Sequence, residues 1–231
     1  MPKHLQKEIE NLKTRLLALC AAVEKSLCLA VQSVKGRDAS LARSVIDDDT
    51  QTDQMEVDLE EECLKILALH QPVAIDLRFI ITALKINNDL ERIGDLAVNI
   101  AERSEFLAGQ EPLSVPFDFE AMAEKTQWMV TESIDSLIDM DCKRAYQVCA
   151  ADDEVDAFNR QMYKQVEASI VAYPGWAQSL LHLLSISRHL ERVADHATNI
   201  AEDVIYMIEG QIVRHRTEDY KKLPQRDNHI E

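Results

Sequence analysis

Residues 90–102 read LERIGDLAVNIAE, and residues 190–202 read LERVADHATNIAE. Nine of the thirteen positions are identical at a fixed offset of 100 residues. Chance does not produce matches at that density, so the chain carries an internal duplication, the first thing to look for in any sequence. Within each copy the apolar residues recur at helical spacing. Ile93, Leu96, Ala97 and Ile100 share one side of the first helix, and Val193, Ala197, Ile200 and Val204 share one side of the second.

Working outward, each copy is preceded by two more periodic stretches. Leu5, Ile9, Leu12, Leu16, Leu19, Val23, Leu27 and Val34 recur every three, four or seven residues and predict a helix from about residue 3 to Val34, stopped at Gly36. Asp38 is placed to cap a second helix that runs to about Leu69. His70-Gln71-Pro72 breaks it, and a third runs from Ala74 or Asp76 to Leu107, ended by Gly109. The stretch GQEPLSVPF, with two prolines, reads as a linker. Helices then follow over about Asp118–Met140, Asp141–Ala172 and Trp176–Glu209, with Tyr173-Pro174-Gly175 breaking the last two and Gly210 closing the series. The expected fold class is all-α: two tandem three-helix bundles over residues 1–109 and 118–210, a linker at 110–117, and a flexible tail at 211–231.

The repeated helices carry acids at i, i+4 spacing. With about 100° of turn per residue, and Glu91 at zero, Asp95 lies at about 40°, Asn99 at about 80° and Glu102 at about 20°. Glu191, Asp195, Asn199 and Glu202 repeat the pattern. On the second helix Asp49, Asp53, Glu56 and Glu60 fall in one sector. The fifth keeps Asp152 and Asp156 but has Asn159 and Tyr163 in place of the glutamates. Like charges at i, i+4 destabilise a helix by a few tenths of a kcal/mol. Two such faces brought together would raise carboxylate pKa values. Bound cations relieve both effects, and carboxylate oxygens suit magnesium, calcium, manganese and iron, with zinc also accepted. The acids lie opposite the apolar stripe, so a merely solvated face is the competing reading. Arg92 and Arg192 read as partners for acids of their own helices. Gly94 and Ala194 read as small residues that admit a neighbouring helix. His196 points about 100° away from Asp195.

Composition narrows the function further. Forty-one acidic residues against 25 basic ones give a formal charge of -16. That balance argues against nucleic acid and anionic lipid and favours cations and basic protein surfaces. Five cysteines without a C-x-x-C pair suit reduced thiols in a cytoplasm. The N-terminus has no apolar signal-peptide core, and no run of about 18 consecutive apolar residues suggests a membrane span. No Walker loop and no nucleophile elbow is present. The Glu-x-x-His of di-iron bundles is also missing, Gly94 and Ala194 standing at the fourth position. The expectation is therefore a protein that is not an enzyme. A carboxylate-bridged metal enzyme and a metal-free helical scaffold are the alternatives.

The paired motifs LERIGDLAVNIAE and LERVADHATNIAE resemble the duplicated signature helices of the PhoU family, and the resemblance covers about residues 1–210. It implies two similar three-helix bundles side by side, with multinuclear metal clusters, often iron or zinc, on the acidic faces. Carried over residue by residue, Glu91 with Asp95 and Glu191 with Asp195 become metal ligands. Asp49 with Asp53 and Asp152 with Asp156 become their partners on the facing helices. It further implies negative control of phosphate uptake and of the phosphate-starvation response. The partners implied are a phosphate transporter, through its ATPase subunit, and a membrane sensor kinase of a two-component system. The implied protein is a cytoplasmic homodimer, peripheral at the inner membrane through its partners.

Overall fold

The apolar stripe from Leu5 to Leu27 is buried along its whole length, and this makes one long helix of residues with little else in common. In the computed structural model this helix, α1, spans Lys3–Gly36. The structure describes residues 3–113 and 119–210. Helix α2 (Ala39–His70) starts where the Asp38 carboxylate accepts hydrogen bonds from the backbone N–H groups of Ser40 and Leu41. It ends at Gln71 in the left-handed conformation, just before Pro72. Helix α3 covers Ala74–Ala108, and α4 covers Phe119–Asp139. Asp141 caps α5 (Cys142–Ala172) as Asp38 caps α2, with its carboxylate accepting from Lys143 and Arg144 N–H. A single 3₁₀ turn at Pro174–Trp176 then leads into α6 (Ala177–Glu209). Gly210 stops α6 with φ of 74°, the left-handed residue that glycine supplies at a helix end.

These bounds follow the sequence reading with small shifts at the ends. Helix α1 runs two residues past Val34, because nothing before Arg37 (φ 51°) turns the chain. Helix α4 ends one residue earlier than expected, its expected first residue Asp118 lies outside the described residues, and Asp141 is a cap rather than the first helical residue. Linker residues 114–117 and the tail at 211–231 lie outside the described residues.

Helices α1, α2 and α3 pack together, as do α4, α5 and α6, and the two sets meet along α3–α6 and, more sparingly, α1–α4. One apolar cluster runs without a break through all six helices. A small satellite of Met162, Val166 and Leu180 closes the far end of α5 and α6. Small buried residues let the backbones approach: Gly94, Ala97 and Ala101 on α3, and Ala194, Ala197 and Ala201 on α6. A methyl group at Gly94 would sit 3.8 Å from Thr52 Cγ2, which places α2 directly over that position.

By length and average composition α1 could cross a bilayer. Glu24 and Lys25 interrupt its apolar residues. In the fold the apolar stripe of α1 packs against α2, α3 and α4.

Candidate functional site: two acidic faces and a polar seam

Helix α2 packs along α3 with its acidic sector turned toward the acids of α3. Burial raises the pKa of Asp49, and the nearby charges of Asp53 and Asp95 raise it further. Burial likewise raises Glu91, followed by the repulsion of Asp95 on its own helix and of Glu56 and Asp53 across the interface, while Arg92 opposes the shift. Glu56 is raised by burial and by Glu60 and Asp53, against one stabilising hydrogen bond from Asn87 Nδ2 at 2.9 Å. Arg92 bridges its neighbours, with Nε 3.2 Å from Glu91 and Nη1 3.2 Å from Asp95. This is the same-helix pairing expected of it. Six carboxylates therefore line one trough: Asp49, Asp53, Glu56 and Glu60 from α2, Glu91 and Asp95 from α3.

The second trough lies between α5 and α6 and is poorer in acid. Asp195 is pushed up to about 6, by burial first and then by Asp152, Glu191 and Asp156, with His196 opposing. Asp152 is raised by burial and by Asp156, Asp153 and Glu191, while Thr198 Oγ1 donates to it at 3.4 Å. Glu191 is raised by burial and by Asp156, and Arg188 and Arg192 hold it down. Arg192 makes no ion pair among the described residues, unlike its counterpart Arg92. Asn159, which stands where α2 has Glu56, accepts a hydrogen bond from Ser187 at 2.8 Å, and Tyr163 is largely exposed. Arg160 pairs with Asp156 at 3.0 Å.

All eight residues singled out from sequence thus sit on facing helices: Asp49, Asp53, Glu91 and Asp95 in one half, Asp152, Asp156, Glu191 and Asp195 in the other. Among the described residues no three histidine, cysteine or carboxylate side chains are already gathered into a ligand shell. The donor set nonetheless fits hard or borderline cations. The trough acids are oxygen donors, most of them part-buried, and mutual repulsion leaves their charge poorly compensated.

Asn99 and Asn199, the last members of the repeated motif, take no part in the troughs. Asn99 Nδ2 donates to the backbone oxygen of Asp95 at 2.7 Å. Asn199 Nδ2 reaches across to Asp89 of the first half at 3.2 Å. Glu202 is buried whereas its counterpart Glu102 is exposed. Helical angles put these residues on the acidic side. They could not show that α6 turns part of that side toward α3.

This seam holds the groups that sequence reasoning missed. His196 Nδ1 lies 2.8 Å from Asp89 Oδ1, and Lys85 Nζ lies 2.9 Å from Asp203 Oδ1, both between α3 and α6. Asp89 and Asp203 are buried. An open cleft lined by Lys85, Asn88, Asp89, Asn199 and Glu202 runs beside them. Toward the opposite end of the seam Phe106 stacks on His182, with ring centroids 3.8 Å apart.

The duplicated acidic helices decide the family once they are compared with known proteins. The PhoU domain matches twice, over residues 16–104 and 119–204. The chain belongs to the PhoU family. The two matches take in most of both three-helix sets and leave out the linker and the tail, so the family's repeat is the duplication seen in the motifs. A phosphate-specific transport system accessory protein PhoU homolog of Aquifex aeolicus is 38% identical over 212 residues, covering 92% of this chain and 96% of the relative. The crystal structure of PhoU from Pseudomonas aeruginosa superposes with a TM-score of 0.86 at 36% identity, over 89% of this chain and 99% of that one. A regulatory PhoU of the phosphate transport system from Streptococcus pneumoniae has the same fold, with a TM-score of 0.82 at 24% identity, over 90% of this chain and 99% of that one.

Proposed function

We propose that this PhoU-family chain is a negative regulator of phosphate uptake and of the phosphate-starvation response, acting as a cytoplasmic adaptor between a phosphate transporter and a sensor kinase. The observation that carries this reading is the pair of PhoU domain matches over nearly the whole described chain. Its relatives' names give the system in which such proteins work, as phosphate-specific transport accessory proteins. The fold suits an adaptor: it is a six-helix body whose acidic groups lie in open troughs and along a seam.

The two troughs are read as metal-bearing. Asp49, Asp53, Glu91 and Asp95 would hold cations in the first half, and Asp152, Asp156, Glu191 and Asp195 in the second. A multivalent cation held there would supply positive charge where these carboxylates repel one another and would reverse the local field toward anions. Iron or zinc is the family-based expectation; magnesium, manganese and calcium suit the same oxygen donors.

Deletion of the gene in its host, with a phosphate-starvation reporter followed in phosphate-rich medium, tests this reading. The reporter switches on in the deletion strain and is silenced when the intact gene is restored. A reporter that stays off in the deletion strain contradicts the regulatory reading.

A further inference from the structure

One end of the molecule exposes an apolar groove, built where both halves meet. Its floor is Leu16, Phe79 and Met207, with a volume of about 310 Å³, enough for two or three side chains at the lower end of ligand-pocket sizes. Its walls are more unusual. Ile75 is 77% exposed, and Ile138 and Met140 are each about half exposed. Scattered apolar residues on a surface need no explanation, but a contiguous set around a concavity marks an interaction site. Both turns that present these walls are held in the left-handed region by residues with side chains, Ala74 at φ 51° and Met140 at φ 54°.

Charge selects the occupant. Asp76 lines the groove and makes no hydrogen bond or ion pair among the described residues. Lys13, the one basic residue in the lining, is engaged by Glu10 at 3.1 Å and lies over the Phe79 ring. A second copy of the chain carries the same formal net charge of -16, so overall charge opposes self-association, and an anionic membrane would be repelled in the same way. We propose that the groove docks an amphipathic helix of a protein partner, with apolar anchors one turn apart and a lysine or arginine placed to meet Asp76. This is the helix-in-groove mode, in which residues at i, i+3 or i+4 and i+7 fill the concavity. The inference is independent of metal at the acidic troughs.

The test uses the full chain in chelator, so that the troughs carry no cation. The probe is a fluorescent peptide of about 18 residues, five helical turns, with leucines on one face and lysines on the other. A second peptide of identical composition has its leucines dispersed around the helix. Ile75→Glu and Ile138→Glu change exposed side chains, and circular dichroism verifies that both variants fold. The proposal expects the amphipathic peptide to bind, the dispersed one to bind far more weakly, and each variant to lose about tenfold in affinity, the usual effect of removing an anchor. Asp76→Asn weakens binding less and flattens its salt dependence. Equal binding of both peptides, or unchanged binding by the variants, reduces the effect to general attraction for the acidic chain and overturns the proposal. It is also overturned if wild-type protein sediments as a dimer that Ile138→Glu disperses, or if it binds neutral phosphatidylcholine vesicles through the same residues.

Discussion

His196 Nδ1 and Asp89 Oδ1 stand 2.8 Å apart across the α3–α6 seam, 107 residues apart in sequence, and so join the two repeats through buried polar contact. Asn199 donates to the same Asp89 oxygen, and Lys85 with Asp203 adds a second bridge. A buried acceptor that holds two donors in place leaves both unsatisfied when it is removed. Asp89→Ala is therefore expected to destabilise the protein by about 1–3 kcal/mol, read from the midpoint of urea unfolding. A loss below about 0.5 kcal/mol, the range of ordinary surface substitutions, contradicts a joining role.

The pH dependence of the metal-free protein follows from its troughs. Asp49, Glu56, Glu91, Asp152, Glu191 and Asp195 are all raised in the fold, Asp195 to about 6. A carboxyl group whose pKa is higher folded than unfolded binds more protons in the native state, so these groups make stability fall as pH rises. The window runs from the ordinary carboxylate range, about 4, up to about 6. In chelator, Asp195→Asn is expected to shift the thermal unfolding midpoint upward at pH 7 relative to pH 5 when compared with wild type, while buried His189, held down at about 4, contributes the opposite slope equally to both proteins. The same slope in wild type and variant would remove Asp195 from the account.

The halves are predicted to differ in metal affinity. The first trough has six carboxylates, two of them paired with Arg92, whereas in the second Asn159 is bonded to Ser187, Tyr163 is largely exposed and Arg160 pairs with Asp156. Affinity for hard cations follows ligand charge, so the first site is expected to bind at least about tenfold more tightly. Equilibrium dialysis of Glu91→Gln and Glu191→Gln measures this by elemental analysis. Equal metal loss in the two variants contradicts the prediction.

The thiols are expected to be inert in the native state. Cys20, Cys63 and Cys149 are buried, and burial pushes Cys20 and Cys63 up to about 12. Of the five cysteines, only part-exposed Cys28 should react promptly with an aromatic disulfide reagent at pH 7.5, while Cys142, part-exposed but pushed up to about 11 by burial and by Glu209, should react more slowly. The other three should follow on addition of denaturant. Prompt reaction of all five would show that the core opens readily.

Much of this was legible in the sequence because a helix announces itself locally. The Leu5–Leu27 stripe, the caps at Asp38 and Asp141 and the breaks at Pro72 and Pro174 all act within a few residues. The acidic sectors of α2 and α3 follow from the same arithmetic, and so do their partners on α5 and α6. What periodicity cannot tell is which sides of two distant helices meet. Asp89, Asp203 and Glu202 look like ordinary surface acids until α3 and α6 are laid together. A trace of the seam was nonetheless present: at the offset of 100, Asp89 aligns with His189 and Leu96 with His196. Those mismatches, one within the repeated motif and one just before it, fall where the two copies meet different neighbours. The groove at Ile75 and Ile138 left no comparable signal, since each residue continues its helix's pattern and only the fold brings α1, α3 and α4 together there.

The most direct test of the account is complementation of the deletion strain in phosphate-rich medium. Wild-type protein is predicted to silence the phosphate-starvation reporter, and a variant with Glu91, Asp95, Glu191 and Asp195 all changed to their amides is predicted to leave it on despite normal protein levels. Full silencing by that variant would contradict the claim that the acidic faces carry the regulatory function.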